Sequence, residues 1–254
     1  MKTFVITGAA SGIGAATKAQ LDAAGHRTIS LDIQHADIVA DLATAEGRQA
    51  AIEQVIASAE TIDGLVCCAG LGVTAPSAEM IVAVNYYGVM DLIHGLTEHL
   101  ARQDGAAITV IGSFAATQQV HQPDALSLAL LENDANAVST ALSNIAGPHV
   151  AYSASKYAVT VASRRLVRVL GKQGVRINII APGAVATPLH QASLNDPTFG
   201  QAVKNFVSPL GAHTDPNHIA SLVSYIHSEA ASFMHGSVLF VDGGMDAMLR
   251  PTQF

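Results

Sequence analysis

The stretch Tyr152-Ser153-Ala154-Ser155-Lys156 sets a phenol and an ammonium four residues apart, ahead of an apolar-patterned run over 157–170. At the head of a helix, residues so spaced share one face about one turn apart. An ammonium beside a phenol favours the phenolate and lowers the tyrosine pKa from about 10 toward neutrality. Tyr152 would then give and take a proton near neutral pH. The same spacing also occurs on solvated helix faces, where it does nothing. Its meaning rests on the rest of the chain.

A second candidate lies near the start. The apolar run 3–7 leads into Gly8-Ala9-Ala10-Ser11-Gly12-Ile13-Gly14, and 15–24 reads as helix. Strand, glycine-rich turn and helix together present free backbone N–H groups that suit a pyrophosphate. The spacing is G-x-x-x-G-x-G, and no Gly-Lys-Ser/Thr follows, so a P-loop is excluded. A tight turn without a ligand is the alternative. The strand at 27–31 ends at Asp32, placed to accept hydrogen bonds from a ribose hydroxyl pair. Its charge would repel a 2′-phosphate, and no arginine follows in the next few positions to attract one. NAD is favoured and NADP disfavoured.

Composition narrows the class. Of 254 residues half are hydrophobic and 13% charged, as in a globular enzyme with a large core. A net charge of −7 without any Lys/Arg run excludes a nucleic-acid binder. Residues 1–8 enter a strand directly and resemble no signal peptide, and no run of 18 apolar residues spans a membrane. With adjacent Cys67 and Cys68 unsuited to a disulfide scaffold, this points to a cytoplasmic protein. The eleven histidines show no metal-ligand spacing; they read as surface or structural, and no metal site is expected.

Further strands are expected at 37–42, 64–68, 106–111, 175–180 and 237–241. Helices are expected from a Thr44 cap to 59, in two pieces over 77–102 with Asn85 in one of them, at 124–131 and at 217–228. Another would span 134–146, capped by Asp134 and closed by Gly147-Pro148. The alternation predicts one α/β domain over 1–254, a Rossmann-like doubly wound parallel sheet covered on both faces. Ser113 stands at a strand end, where such sheets place ligands. A closing segment over 188–210 offers Leu189, Leu194, Phe199, Val203, Phe206 and Val207 for an apolar pocket. Those residues are equally the apolar face of helices over a core.

Taken in order, Thr7-Gly8-x-x-x-Gly12-Ile13-Gly14, Asp32, Asp41-Leu42, Ala69-Gly70, Asn85, Ser113, Tyr152-x-x-x-Lys156 and Pro182-Gly183-x-x-x-Thr187 resemble the short-chain dehydrogenase/reductases. The resemblance implies that Ser113 and Tyr152 hydrogen-bond the substrate oxygen. Lys156 would hold the nicotinamide ribose and tune the tyrosine, with Asn85 supporting a water relay to it. Gly8, Ser11, Gly12 and Ile13 would take the pyrophosphate side of NAD, Asp41 and Leu42 the adenine, Gly70 the adenine ribose, and Val185 and Thr187 the carboxamide. Leu189 and Phe206, with Ser113 and Tyr152, would meet the substrate.

One departure is large: family members place the serine much closer to the tyrosine, and here 114–149 intervenes as a helical insertion. The usual dimer interface includes the tyrosine helix, so a homo-oligomer, dimer or tetramer, with a non-standard interface is expected. Several stretches, 63–72 and 250–254 among them, are similar to the bacterial 3-alpha-hydroxysteroid dehydrogenase/carbonyl reductases. That likeness implies an apolar cyclic secondary alcohol or ketone, with a monoterpene or coniferyl-type alcohol as the alternative. A non-catalytic NAD-binding scaffold is a third reading.

Overall fold

The computed structural model describes residues 1–253. Seven strands, β1 (Thr3–Thr7), β2 (Arg27–Asp32), β3 (Ile38–Val39), β4 (Gly64–Cys67), β5 (Ala107–Ile111), β6 (Arg176–Pro182) and β7 (Val238–Val241), form one sheet in the order β3-β2-β1-β4-β5-β6-β7. Every pair is parallel. Parallel neighbours need crossover helices, and under those helices the central strands β1, β4 and β5 are nearly continuous, buried apolar runs. Strand order reverses between β1 and β4. The crevice at their carboxyl ends is where such sheets bind ligands.

The described residues form twelve α-helices: α1 (Gly12–Ala23), α2 (Ala45–Ser58), α3 (Ala78–Val82), α4 (Gly88–Leu100), α5 (Ala125–Leu131), α6 (Ala135–Ser143), α7 (Pro148–Arg165), α8 (Val167–Lys172), α9 (Pro188–Leu194), α10 (Gly200–Asn205), α11 (Pro216–Ile226) and α12 (Met245–Leu249). The period-2 alternation of the strands divides the core. Val5, Leu65 and Cys67 point to the side packed by Leu92, Ile93 and Leu96 of α4 and Val159 of α7. Phe4, Ile6 and Val66 point to the side packed by Leu21 of α1 and Ile219, Val223 and Ile226 of α11.

Four local expectations are corrected. The third strand is two residues long rather than spanning 37–42. Asp37 accepts from the Ser30 backbone N–H and hydroxyl (2.9 and 2.6 Å), and Asp41 accepts from the Ala43 N–H at 2.9 Å. Such side-chain bonds compete with a ladder. The run 77–102 is bridged between α3 and α4 by a wide π turn, Ala83–Tyr87, that contains Asn85. Pro148 opens α7 rather than closing the helix before it, because its missing N–H costs nothing in a first helical turn. Tyr152 therefore sits in the second turn of α7, not at its head.

The insertion is compact. Leu126 and Leu130 of α5 and Val138 of α6 are buried, and α5 packs against both α6 and α7. Asp124 caps α5 and Asp134 caps α6. The Tyr86 hydroxyl donates to the Leu130 carbonyl at 2.8 Å, and Arg165 donates to the Leu131 carbonyl at 3.0 Å.

Candidate active site

The turn after β1 closes only because it is glycine. Gly8 has φ +66°, and a Cβ there would meet the Ala69 backbone nitrogen at 2.7 Å. A Cβ on Gly14 would run into the Gly8 carbonyl. At the start of α1, Ser11 makes no side-chain cap and the first turn holds no acid, so the N–H groups there lack a side-chain acceptor. Asp32 ends β2 facing this turn, its carboxylate accepting from the backbone N–H groups of Ala10 (2.9 Å) and Ile33 (2.7 Å). On the far side, Val185 pairs with Thr214, and Thr187 caps α9 by accepting from the His190 N–H at 3.2 Å.

The proton-bearing groups come from two elements. Ser113 follows β5 and caps a 3₁₀ turn, Phe114–Gln119, accepting from the Ala115 N–H at 3.1 Å. Tyr152 and Lys156 face the cleft one turn apart on α7. Lys156 is buried, and its ammonium donates to the Ile111 carbonyl at 2.8 Å. Burial lowers it to about 8, against a smaller opposing influence of the Cys68 and Cys67 thiols. Tyr152 does not show the depressed pKa expected from Lys156. Burial pushes the phenol up, and the Ser113 hydroxyl beside it offsets part of that rise.

One cleft of about 660 Å³ runs along the carboxyl ends of the strands. Gly8, Ser11, Gly12, Ile13, Asp32, Asp41, Leu42 and Gly70 line one half, and Ser113, Tyr152, Lys156, Val185, Thr187, Leu189 and Phe206 the other. Asn85 is not on its wall. It lies buried behind, accepting from the Leu71 N–H at 2.8 Å and donating to the Leu71 carbonyl (3.0 Å) and Ser155 hydroxyl (3.1 Å). A Cβ on Gly70 would stand 3.3 Å from the Asn85 Oδ1 and 3.5 Å from the Lys156 Nζ, so glycine keeps that approach open.

In the closing segment, Phe199 and Val203 line the cleft, whereas Leu194 and Val207 do not. Two aromatic contacts hold the segment to the opposite wall: Phe206 with Phe114 (centroids 5.7 Å apart) and Phe199 with His149 (5.3 Å). Phe114, Gln118, His149 and His190 are cleft residues that the sequence reading missed. His149 is exposed and His190 half-buried, so both stand at the surface of the cleft, a place on its wall that the sequence did not assign them. Their neighbours carried the signal, His149 standing one helical turn before Tyr152 and His190 directly after Leu189. His190 is held below the usual imidazole range by burial and by nearby His213. Among the described residues no group of His, Cys, Asp and Glu is placed to hold a metal ion, and no helix is long and apolar enough to cross a membrane.

With this sheet and this cleft, the chain belongs to the short-chain dehydrogenase family, and it is an oxidoreductase acting on CH–OH groups. The short chain dehydrogenase model matches residues 2–125, and an enoyl-(acyl carrier protein) reductase model matches 127–246. The chain is 43% identical, over the whole of both sequences, to a 3-alpha-hydroxysteroid dehydrogenase/carbonyl reductase of Comamonas testosteroni. It is 30% identical to a D-threitol dehydrogenase of Mycolicibacterium smegmatis, over 96% of this chain and 92% of that one. The crystal structure of 3-alpha-hydroxysteroid dehydrogenase from Pseudomonas sp. B-0831 complexed with NADH superposes with a TM-score of 0.95 at 48% identity, covering 99% of this chain and all of the other.

Proposed function

We propose that the chain transfers hydride between NAD(H) and an apolar cyclic secondary alcohol or ketone, a 3-alpha-hydroxysteroid being the favoured substrate. The observation that carries this is the meeting of Ser113, from the turn after β5, with Tyr152 and Lys156 of α7 at the substrate end of a cleft whose other end is a glycine cradle beside Asp32. That end fits a dinucleotide. Gly8 and Gly14 leave no room for a Cβ, the N-terminus of α1 presents N–H groups to anionic oxygens, and Asp32 offers a carboxylate to ribose hydroxyls. The favoured substrate also draws on the two similar proteins that act on 3-alpha-hydroxysteroids.

When bound, the nicotinamide would supply or accept the hydride. In oxidation, Tyr152 Oη as phenolate takes the hydroxyl proton, and in reduction the phenol returns it. Ser113 Oγ donates a hydrogen bond to the oxygen where carbonyl character develops. The Lys156 charge stabilises the phenolate, and Asn85 supports the lysine's surroundings from behind Gly70. Gly8, Ser11, Gly12 and Ile13 hold the pyrophosphate; Asp32 with Asp41, Leu42 and Gly70 holds the adenosine side; Val185 and Thr187 meet the carboxamide. Leu189 and Phe206 close on the substrate, and the wall they share with Phe114, Phe199 and Val203 suits fused apolar rings better than a sugar.

The test is NADH formation from a 3-alpha-hydroxysteroid, a monoterpene alcohol and coniferyl alcohol, each offered with NAD and with NADP. Turnover of the steroid with NAD supports the reading. Activity confined to another alcohol would move the substrate while keeping the chemistry. NADH binding with no turnover across the panel would defeat both and favour a scaffold.

A further inference from the structure

The chain between Ser113 and Tyr152 runs through the whole insertion, so sequence proximity does not fix the spacing of their hydroxyls. The 3₁₀ turn packs along α7 with Phe114, Ala116 and Thr117 buried, but its own backbone bonds are few and poorly aligned. One of its side chains ties it to that helix by a hydrogen bond. Gln119, at the end of that turn and 8% exposed, makes four hydrogen bonds. Its Oε1 accepts from the Asp124 backbone N–H at 2.9 Å and from the Ser127 hydroxyl at 3.4 Å. Its Nε2 donates to Asp124 Oδ2 at 3.1 Å and to Ser153 Oγ at 3.2 Å.

The partners decide the orientation of the amide, because a backbone N–H can only donate and a carboxylate can only accept. Ser153 completes the arrangement. Its O–H goes to the Val150 carbonyl at 3.1 Å, which leaves Oγ to accept from Gln119. Asp124 uses its other oxygen to cap α5, accepting from the Ser127 N–H at 2.7 Å. Ser153 is the residue next to Tyr152. The Gln119–Ser153 bond joins the far end of the serine's turn to the tyrosine's helix, while the Ser113 hydroxyl at its near end meets the phenol itself.

We propose that Gln119, through Ser153, is a positioning residue that sets the spacing of the Ser113 and Tyr152 hydroxyls. The proposal rests on the reading of those two as the groups that hold the substrate oxygen. A buried amide cut from its partners leaves unpaired polar atoms, so the turn shifts to re-pair them. Small displacements of a reacting group are costly to rate. The Ser113 hydroxyl is hydrogen-bonded to the phenol, Lys156 lies one turn along α7, Cys68 and His149 line the same cleft, and the cleft's carboxylates, Asp32 and Asp41, line its other half. Loosening Ser113 therefore removes what offsets burial, and the phenol titrates at higher pH.

The experiment compares wild type, Ser153→Ala, Gln119→Leu and the double variant on the best alcohol of the panel above. It reads kcat, KM, the pH profile of oxidation, NADH affinity by fluorescence and Tm. Ser153→Ala removes the cross-link and the Ser153 bond to the Val150 carbonyl within its own helix, and leaves the other three bonds of Gln119. We expect it to lower kcat about tenfold, to move the alkaline rise of kcat/KM to higher pH, and to leave NADH affinity and Tm unchanged. The double variant should be no slower than Gln119→Leu. Wild-type kcat and pH profile in Ser153→Ala would overturn the proposal, as would Tm and NADH affinity falling in step with turnover. If Tyr152→Phe kept its turnover, the reading of the Ser113–Tyr152 pair would fail. If Tyr152→Phe lost turnover while Ser153→Ala stayed normal, only the brace would fail.

Discussion

Lys156 Nζ donates to the Ile111 carbonyl at 2.8 Å, joining the middle of α7 to the last residue of β5. Ser113 stands just beyond that strand end, and Tyr152 one turn earlier on the helix, so one bond anchors the surroundings of both hydroxyls. Lys156 makes no salt bridge among the described residues, and burial works against its charge.

That cost has a pH signature. The ammonium titrates near 8 in the folded chain and near 10.5 when exposed. Below about pH 8 both states hold the proton and the folded state bears the whole penalty. Between about 8 and 10.5 the unfolded state binds more protons, so stability rises with pH. Lys156→Met lacks this contribution. The Tm of wild type should therefore gain on that of the variant across this window; parallel curves would show that the lysine is not desolvated as the structure implies.

Tyr152→Phe should cost about 10²–10⁴ in turnover and leave NADH affinity nearly intact. Because burial raises the phenol, oxidation by the wild type should keep climbing above neutral pH as the phenolate forms. Ketone reduction, which needs the phenol, should fall over the same range. Near-normal turnover of the variant would assign the proton shuttle elsewhere.

Asp32→Asn keeps one acceptor for the Ala10 and Ile33 amides while removing the charge. We expect the preference in kcat/KM for NAD over NADP to shrink by about tenfold or more. An unchanged ratio would mean that another group excludes the 2′-phosphate.

The parts of the site built on local rules were legible in the sequence. Gly8 and Gly14 sit where a Cβ cannot fit, Asp32 ends its strand, and Thr44 caps α2 by accepting from the Gly47 N–H at 3.0 Å. What was missed depends on contacts distant in sequence. Phe199 meets His149 and Phe206 meets Phe114 across the cleft, and no periodicity encodes such pairs. The pKa of Tyr152 was misjudged for a related reason: i,i+4 spacing brings Lys156 near, but burial and the Ile111 carbonyl decide what its charge does. Pro148 reads as a terminator in the sequence because proline both ends and opens helices, and only the fold tells which.

We propose an oligomer that does not pair through α7, since α5 packs on it and Arg165 is tied to the Leu131 carbonyl. Hydrogen exchange of the α7 amides should stay the same as the protein is diluted through dissociation of the oligomer. Loss of α7 protection on dilution would place the interface there after all.

The last test concerns the closing segment. Phe206 is 47% exposed and leans on Phe114, and it directly follows the short helix α10. Truncating a half-exposed ring forfeits little folding energy, so Phe206→Ala should change stability by no more than about 0.5 kcal/mol. A substrate bound under that ring would instead lose roughly half of the 1.5–3 kcal/mol that a buried phenylalanine contributes, which is about 4- to 13-fold in KM. The expected outcome is thus a raised KM for the apolar alcohol with an unchanged Tm and unchanged NADH affinity. The loss should be smaller for a short alcohol that does not reach the segment. Equal losses for long and short alcohols would show that Phe206 shapes the cleft as a whole and does not touch the substrate.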